Sequence, residues 1–151
     1  MKAKGLIAVV VLSLAAAACG GQGTQPKDQG KAQAGPTEVE VQSEEYKFGG
    51  VPGTLPAGET TFALENVGQE PHEFGLVRIK TDHSVEELIQ MPPSESEKLI
   101  SDVGSTFAKP GRESSFQADL ASGRYGYACF VTTKDGEPHA VLGMYGGFTV
   151  T

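Results

Sequence analysis

Four residues of this chain have side chains and spacing suited to one piece of chemistry. Cys129, His139 and Met144 lie in the stretch CFVTTKDGEPHAVLGM, and His72 ends the stretch NVGQEPH. Soft sulfur donors favour Cu(I), and imidazole suits Cu(II). Two imidazole nitrogens and a thiolate in a trigonal plane, with a long axial thioether, are the donors of a type 1 copper site. Each residue also has a plainer reading. A lone strand cysteine is a small buried hydrophobe, and a loop histidine or core methionine needs no ligand. Those readings require several coincidences in chain order, whereas the metal reading requires one site. His83 fits no ligand spacing and is expected at the exposed start of a helix.

The elements that must position these residues read mostly as strands. Thr37 to Gln42 alternates, with Val39 and Val41 on one side. Thr60 to Val67 alternates too, with Phe62, Leu64 and Asn66 on one face. Further strands are expected over residues 74–79, 114–120, 126–131 and 147–151. Turn signals separate them: Pro56-Ala57-Gly58, Asn66-Val67-Gly68, Pro110-Gly111, Ser122-Gly123 and Asp135-Gly136. Short strands at this spacing suggest a β-sandwich. Ser84-Val85-Glu86-Glu87 has the form of a helix capping box, and Pro92-Pro93 should stop that helix. Residues 94–103 read as a second short helix, and 104–109 as loop or edge strand.

The domain resembles the cupredoxins, the blue copper family of plastocyanin and azurin, over nearly all of residues 37–151. The resemblance is carried by the N-x-G-x-x-x-H element ending at His72, by GRYGYAC ending at Cys129, by His139-x4-Met144 and by the terminal GFTV strand. It implies an all-β, Greek-key β-sandwich with one short helical insertion. It also implies one type 1 copper ion held by His72, Cys129, His139 and Met144, with one-electron transfer as the activity. Two departures stand out. Nine residues separate Cys129 from His139, a longer gap than in plastocyanin, and the Lys134-Asp135-Gly136 turn is expected to bring the loop back. Glu73 follows His72, where several small cupredoxins carry an asparagine that fixes the cysteine loop. Glu73 is expected either to support the site in a similar way or to face solvent.

The first 36 residues read differently. Lys2 and Lys4 precede an apolar run from Gly5 to Ala18, the layout of a secretory signal peptide over residues 1–18. That run is short for a permanent membrane span. Ala-Ala-Ala-Cys-Gly-Gly resembles a bacterial lipobox, which makes Cys19 the expected lipidation site, although Ala16 stands where leucine is usual. Ordinary cleavage near Ala18 is the alternative. Residues 19–36 lack large apolar side chains and are expected to be a flexible tether. The reading is therefore an exported domain, lipid-anchored to the cell membrane and facing outside the cytoplasm. With Cys19 lipidated, Cys129 has no disulfide partner.

Four of the 12 bases and one of the 19 acids precede Thr37, leaving 8 bases against 18 acids in the domain. That balance argues against nucleic acid, which selects basic patches. It suits a basic protein partner, steered by acids such as Glu70, Glu73 and Glu137. A redox donor or acceptor is expected to dock near His139, where Pro138, Ala140, Val141, Leu142 and Gly143 would make an apolar patch. A monomer is expected. The alternatives are a copper chaperone or scavenger with no redox circuit, and a metal-free cupredoxin-like interaction domain. An enzyme built on Cys129 as nucleophile and His139 as base is disfavoured, because no oxyanion element is apparent. No spare histidine pair exists for a second, catalytic copper. A thioether is a poor zinc ligand, which disfavours zinc.

Overall fold

A computed structural model describes residues 35–151. The expected signal peptide, Cys19 and nearly all of the tether therefore lie outside the described residues. Among the described residues, no helix is long and apolar enough to cross a membrane.

Nine strands and two helices follow in order: β1 (Thr37–Glu44), β2 (Lys47–Gly49), β3 (Thr54–Leu55), β4 (Gly58–Asn66), β5 (His72–Ile79), α1 (Val85–Gln90), α2 (Pro93–Leu99), β6 (Ile100–Ala108), β7 (Glu113–Leu120), β8 (Gly123–Ala128) and β9 (Tyr145–Val150). One sheet has the order β2-β1-β4-β7 and the other β3-β9-β8-β5-β6. Both are mixed, because β1 runs parallel to β4 and β3 parallel to β9. The result is the all-β sandwich expected.

Alternation explains the layering. In β1, Val39, Val41 and Ser43 are buried while Glu38, Glu40 and Gln42 are exposed. In β4, Thr60, Phe62, Leu64 and Asn66 point inward. Phe62 and Phe74 come from opposite sheets and meet at a ring-centroid separation of 5.5 Å, and Phe62 stacks on Phe116 at 5.4 Å. Tyr125 stacks on Phe148 at 5.3 Å. These rings, with Leu64, Leu76 and Val150, form one core. Gln33–Thr151 is one compact unit with a core of its own, the condition for folding independently.

Several boundaries differ from expectation. β5 begins at His72 and β8 stops at Ala128, so His72 is a strand residue and Cys129 lies just past a strand. The helix expected over 94–103 occupies Pro93–Leu99 instead. Residues 100–103 join a nine-residue edge strand, because pairing with β5 (Ile79 opposite Ile100) satisfies their backbone. The helical insertion is thus two short helices. Ser84 caps the first as expected: its Oγ accepts from the Glu87 amide at 3.1 Å, and Glu87 Oε2 accepts from the Ser84 amide at 2.7 Å.

Truncating the ring that joins the two sheets should be costly. Phe62→Ala is expected to lower unfolding free energy by about 3–5 kcal/mol. Urea denaturation of residues 33–151 checks this, with an unchanged midpoint as the contrary result.

Candidate metal centre

Three chain segments meet at one end of the sandwich. The first leads from β4 to His72. Asn66 ends β4 with its side chain buried. Its Nδ2 donates to the carbonyls of Glu70 (2.8 Å) and Ala108 (2.9 Å), and its Oδ1 accepts from the Gly68 amide (2.9 Å). One amide thereby fixes both the loop before His72 and the end of β6. At Gly68 a Cβ would collide with the Glu45 carboxylate. That carboxylate is itself pinned, since Oε1 accepts from the amides of Gln69 and Glu70, each at 2.7 Å. These bonds are the physical content of the N-x-G-x-x-x-H motif.

The second and third segments are the two ends of one loop. Cys129 N–H donates to Met144 O (3.0 Å), and Ala140 N–H donates to Cys129 O (2.8 Å). His139 N–H donates to Val131 O (2.9 Å), and Met144 N–H to His139 O (3.0 Å). Between them the chain doubles back. Thr132 bridges Pro138, Thr133 N–H donates to Glu137 O (2.9 Å), and Gly136 turns with φ of 86°. The long Cys-to-His gap is therefore a small hairpin at Lys134-Asp135-Gly136, as the turn signal suggested.

The side chains converge. His72 Nδ1 lies 3.2 Å from His139 Nδ1, which lies 3.5 Å from Cys129 Sγ. One donor atom from each of the three residues falls within 4.8 Å of the others, and all three residues are fully buried. Metal–nitrogen bonds of about 2.0–2.1 Å and a metal–sulfur bond of about 2.3 Å would space three trigonal donors at roughly 3.5–3.8 Å. The cluster matches that spacing closely enough to accept a single ion. The pairing of thiolate with two imidazoles fits type 1 copper. Met144 is also fully buried, and its backbone ties Cys129 to His139.

The outer edges of both imidazoles face carboxylates. His72 Nε2 is 3.3 Å from Glu45 Oε1, and His139 Nε2 is 3.1 Å from Glu70 Oε2. Neither contact has the alignment of a hydrogen bond. The Tyr46 ring covers His139 at a centroid separation of 4.8 Å, and its hydroxyl donates to Glu70 Oε2 at 3.5 Å. A partner is expected to dock near His139 within an apolar patch. His139 itself is fully buried beneath Tyr46 and Glu70, and the exposed apolar residues beside it are Val141 (57%) and Leu142 (39%). Glu45 and Tyr46 escaped sequence reading because they follow β1, far from His72 and His139 in the chain, between the exposed residues Glu44 and Lys47.

Burial disfavours the charged forms of Cys129 and His72. Burial pushes the Cys129 thiol upward, and the amides of Glu73 and Val131 only partly oppose this. The Glu73 amide donates to Cys129 Sγ at 3.3 Å. Glu73 thus supports the cysteine through its backbone, while its side chain lies on the outer face of the sheet. Burial, then the neighbouring His139, holds His72 below the ordinary histidine value, against the pull of Glu45 and Glu70. Burial raises Glu45, but the amides of Glu70 and Gln69 outweigh it, so its net shift is downward.

No family profile and no curated protein sequence matches the chain. Solved structures do. The dithionite-reduced auracyanin of Roseiflexus castenholzii is 23% identical, over 76% of this chain and 97% of that one, with a TM-score of 0.53. Auracyanin A, a "blue" copper protein of Chloroflexus aurantiacus, is 22% identical over 78% of this chain and 100% of its own, with a TM-score of 0.53. Rusticyanin of Thiobacillus ferrooxidans is 16% identical over 77% of each chain, with a TM-score of 0.51. The fold is the cupredoxin sandwich.

Two outcomes follow from the geometry. Asn66→Ala leaves two carbonyls without their donor and should destabilise the protein by about 1–3 kcal/mol, measured by urea denaturation; an unchanged midpoint would contradict the clamp. The second concerns pH. Because His72 is depressed in the folded state, the unfolded chain protonates first as pH falls. Stability of the metal-free protein should therefore be intact above about pH 6.5 and fall below it, by at most about 1.4 kcal/mol per unit. Denaturation between pH 7.5 and 5.5 should show that slope in the native sequence and a flatter one in His72→Gln.

Proposed function

We propose that this protein transfers single electrons through a type 1 copper ion bound by His72, Cys129, His139 and Met144. The observation that carries this reading is the buried cluster of two imidazole nitrogens and one thiol sulfur within 4.8 Å. The shared fold of a "blue" copper protein supports it. Copper, when bound, would supply a one-electron couple accessible through soft and intermediate donors.

The protein's own residues do the rest. Cys129 would hold the ion as thiolate, its proton released to solvent on binding, with the Glu73 amide hydrogen-bonded to its sulfur. His72 and His139 offer Nδ1, and Glu45, Tyr46 and Glu70 close their far edges. Met144 offers a thioether from the end of the same loop. A loop bonded to itself by repeated backbone hydrogen bonds would move little when charge at the metal changes. Burial excludes water from the donors. In this reading the protein is exported, lipidated at Cys19 and held to the membrane by the tether over residues 19–36. A basic redox partner docks on the exposed Val141 and Leu142, with neighbouring acids steering it. The partner meets the loop backbone next to His139, because the ring itself is covered.

Adding one equivalent of Cu(II) to metal-free residues 33–151 is expected to produce an intense blue thiolate-to-copper absorption. Cys129→Ser should abolish it. Tight Cu(I) binding without the blue band would transfer the function to copper storage or delivery. Absence of both would leave a sandwich without a metal role.

A further inference from the structure

The outer face of the five-stranded sheet carries a feature that the metal centre does not use. α1 and α2 stand over this face, and between them and β5, β6 and β8 lies a cavity of about 260 Å³. The floor is low because Gly75, Gly126 and Ala128 supply it, and Val77, Val85 and Ile89 form apolar walls. A cavity of roughly 150 Å³ admits a benzene ring, so this one has room for a ring and a short substituent.

The charged lining is of one sign. Glu73 and Asp102 line the cavity, and no lysine or arginine does. Among the described residues, neither carboxylate takes part in an ion pair. Two exposed aromatic rings stand close by. Phe107 is paired opposite Glu73 in the sheet and is 49% exposed, and Phe130 lines the cavity itself and is 59% exposed. Ring faces attract cations, exposed carboxylates add to that attraction, and an apolar cavity rewards an apolar body. An anion would meet two negative charges and no positive one.

We propose that this cavity binds a small organic cation: a single ring, or an apolar body of that size, bearing an ammonium group. The ammonium sits at the Glu73 carboxylate against the phenyl rings, and Asp102, which pairs opposite Val77 four positions further along β5, adds its charge from the other end of the cavity. The apolar body lies over Gly75, Gly126 and Ala128. The site stands on cavity, charge and aromatic exposure alone, so it holds whether or not copper is the metal at the neighbouring centre. Glu73 and Ala128 are chain neighbours of His72 and Cys129, which makes their amides reporters of occupancy.

The test is a titration of metal-free residues 33–151 followed by amide nitrogen–proton correlation spectra. Benzylamine, benzyl alcohol and benzoate share a ring and differ in charge. Benzylamine should shift the amides of Glu73, Gly75, Asp102 and Ala128. It should bind about tenfold more tightly than benzyl alcohol, the combined effect of a cation–ring contact and an unpaired carboxylate. Benzoate should not bind. Asp102→Asn with Glu73→Gln should bring benzylamine to the level of benzyl alcohol, and Val77→Phe should fill the cavity and abolish both. Comparable binding of all three compounds, or shifts scattered over other surfaces, overturns the proposal. So does retained binding in a folded Val77→Phe variant. N-acetyl-lysine amide has the charge without the ring; binding as tight as benzylamine would assign the site to a protein's lysine and overturn a small-molecule occupant.

Discussion

Two imidazole nitrogens and a thiol sulfur share a space closed to water, and that confinement constrains everything around it. Polar atoms buried without partners are costly. Metal-free, the donors can satisfy one another only in part, and the outer nitrogens of both histidines lack aligned hydrogen bonds. The fold must hold them there regardless. It does so by attaching each donor to something rigid. His72 begins a strand paired on both sides, Cys129 follows the central β8, and His139 lies in a loop bonded back to Cys129 and Val131. A metal ion of suitable preference would give the inward-facing Nδ1 and Sγ atoms a common partner, while the outer Nε2 atoms keep the carboxylates of Glu45 and Glu70 opposite them.

The supporting shell is built of hydrogen bonds that each have at least one end on the backbone. Asn66 spends its whole amide on holding two carbonyls and one N–H. The Glu45 carboxylate is spent on two amides of the loop before His72. The Glu73 amide is spent on sulfur. A cysteine sulfur that accepts an N–H is stabilised as thiolate relative to thiol. The same hydrogen bond that opposes the burial of the free thiol therefore favours the metal-bound form. The Glu73 amide needs no further restraint, because β5 is paired on both sides.

The parts legible in the sequence share a cause. Alternation in β1 and β4 has a period of two, and a sandwich with a dry interior demands it, so Val39, Val41, Phe62 and Leu64 could be placed. Ser84 and Glu87 act within one helical turn. The order of His72, Cys129, His139 and Met144 carries chemical identity that spacing alone does not. The strand over Ile100–Ala108 was obscured because an edge strand with a bulge opposite Leu76/Val77 breaks its own periodicity. Glu45 and Tyr46 were invisible for a different reason. Their role comes entirely from the parallel pairing of β1 with β4, which carries the end of β1 to the loop before His72. No local pattern encodes a contact made by tertiary register.

The same register bears on which metal chemistry the site suits. A protein that hands copper to another needs ligands that a partner can reach and exchange one at a time. Here Tyr46 and Glu70 lie over His139, Glu45 faces His72, and His72, Cys129, His139 and Met144 are all fully buried. Exchange would require the Glu45–Tyr46 turn to lift away, breaking two short bonds from Glu45 to backbone amides. An electron needs no such opening. Burial of this kind hinders metal exchange, and a loop closed on itself by backbone hydrogen bonds suits a site that keeps its ion rather than one that hands it on.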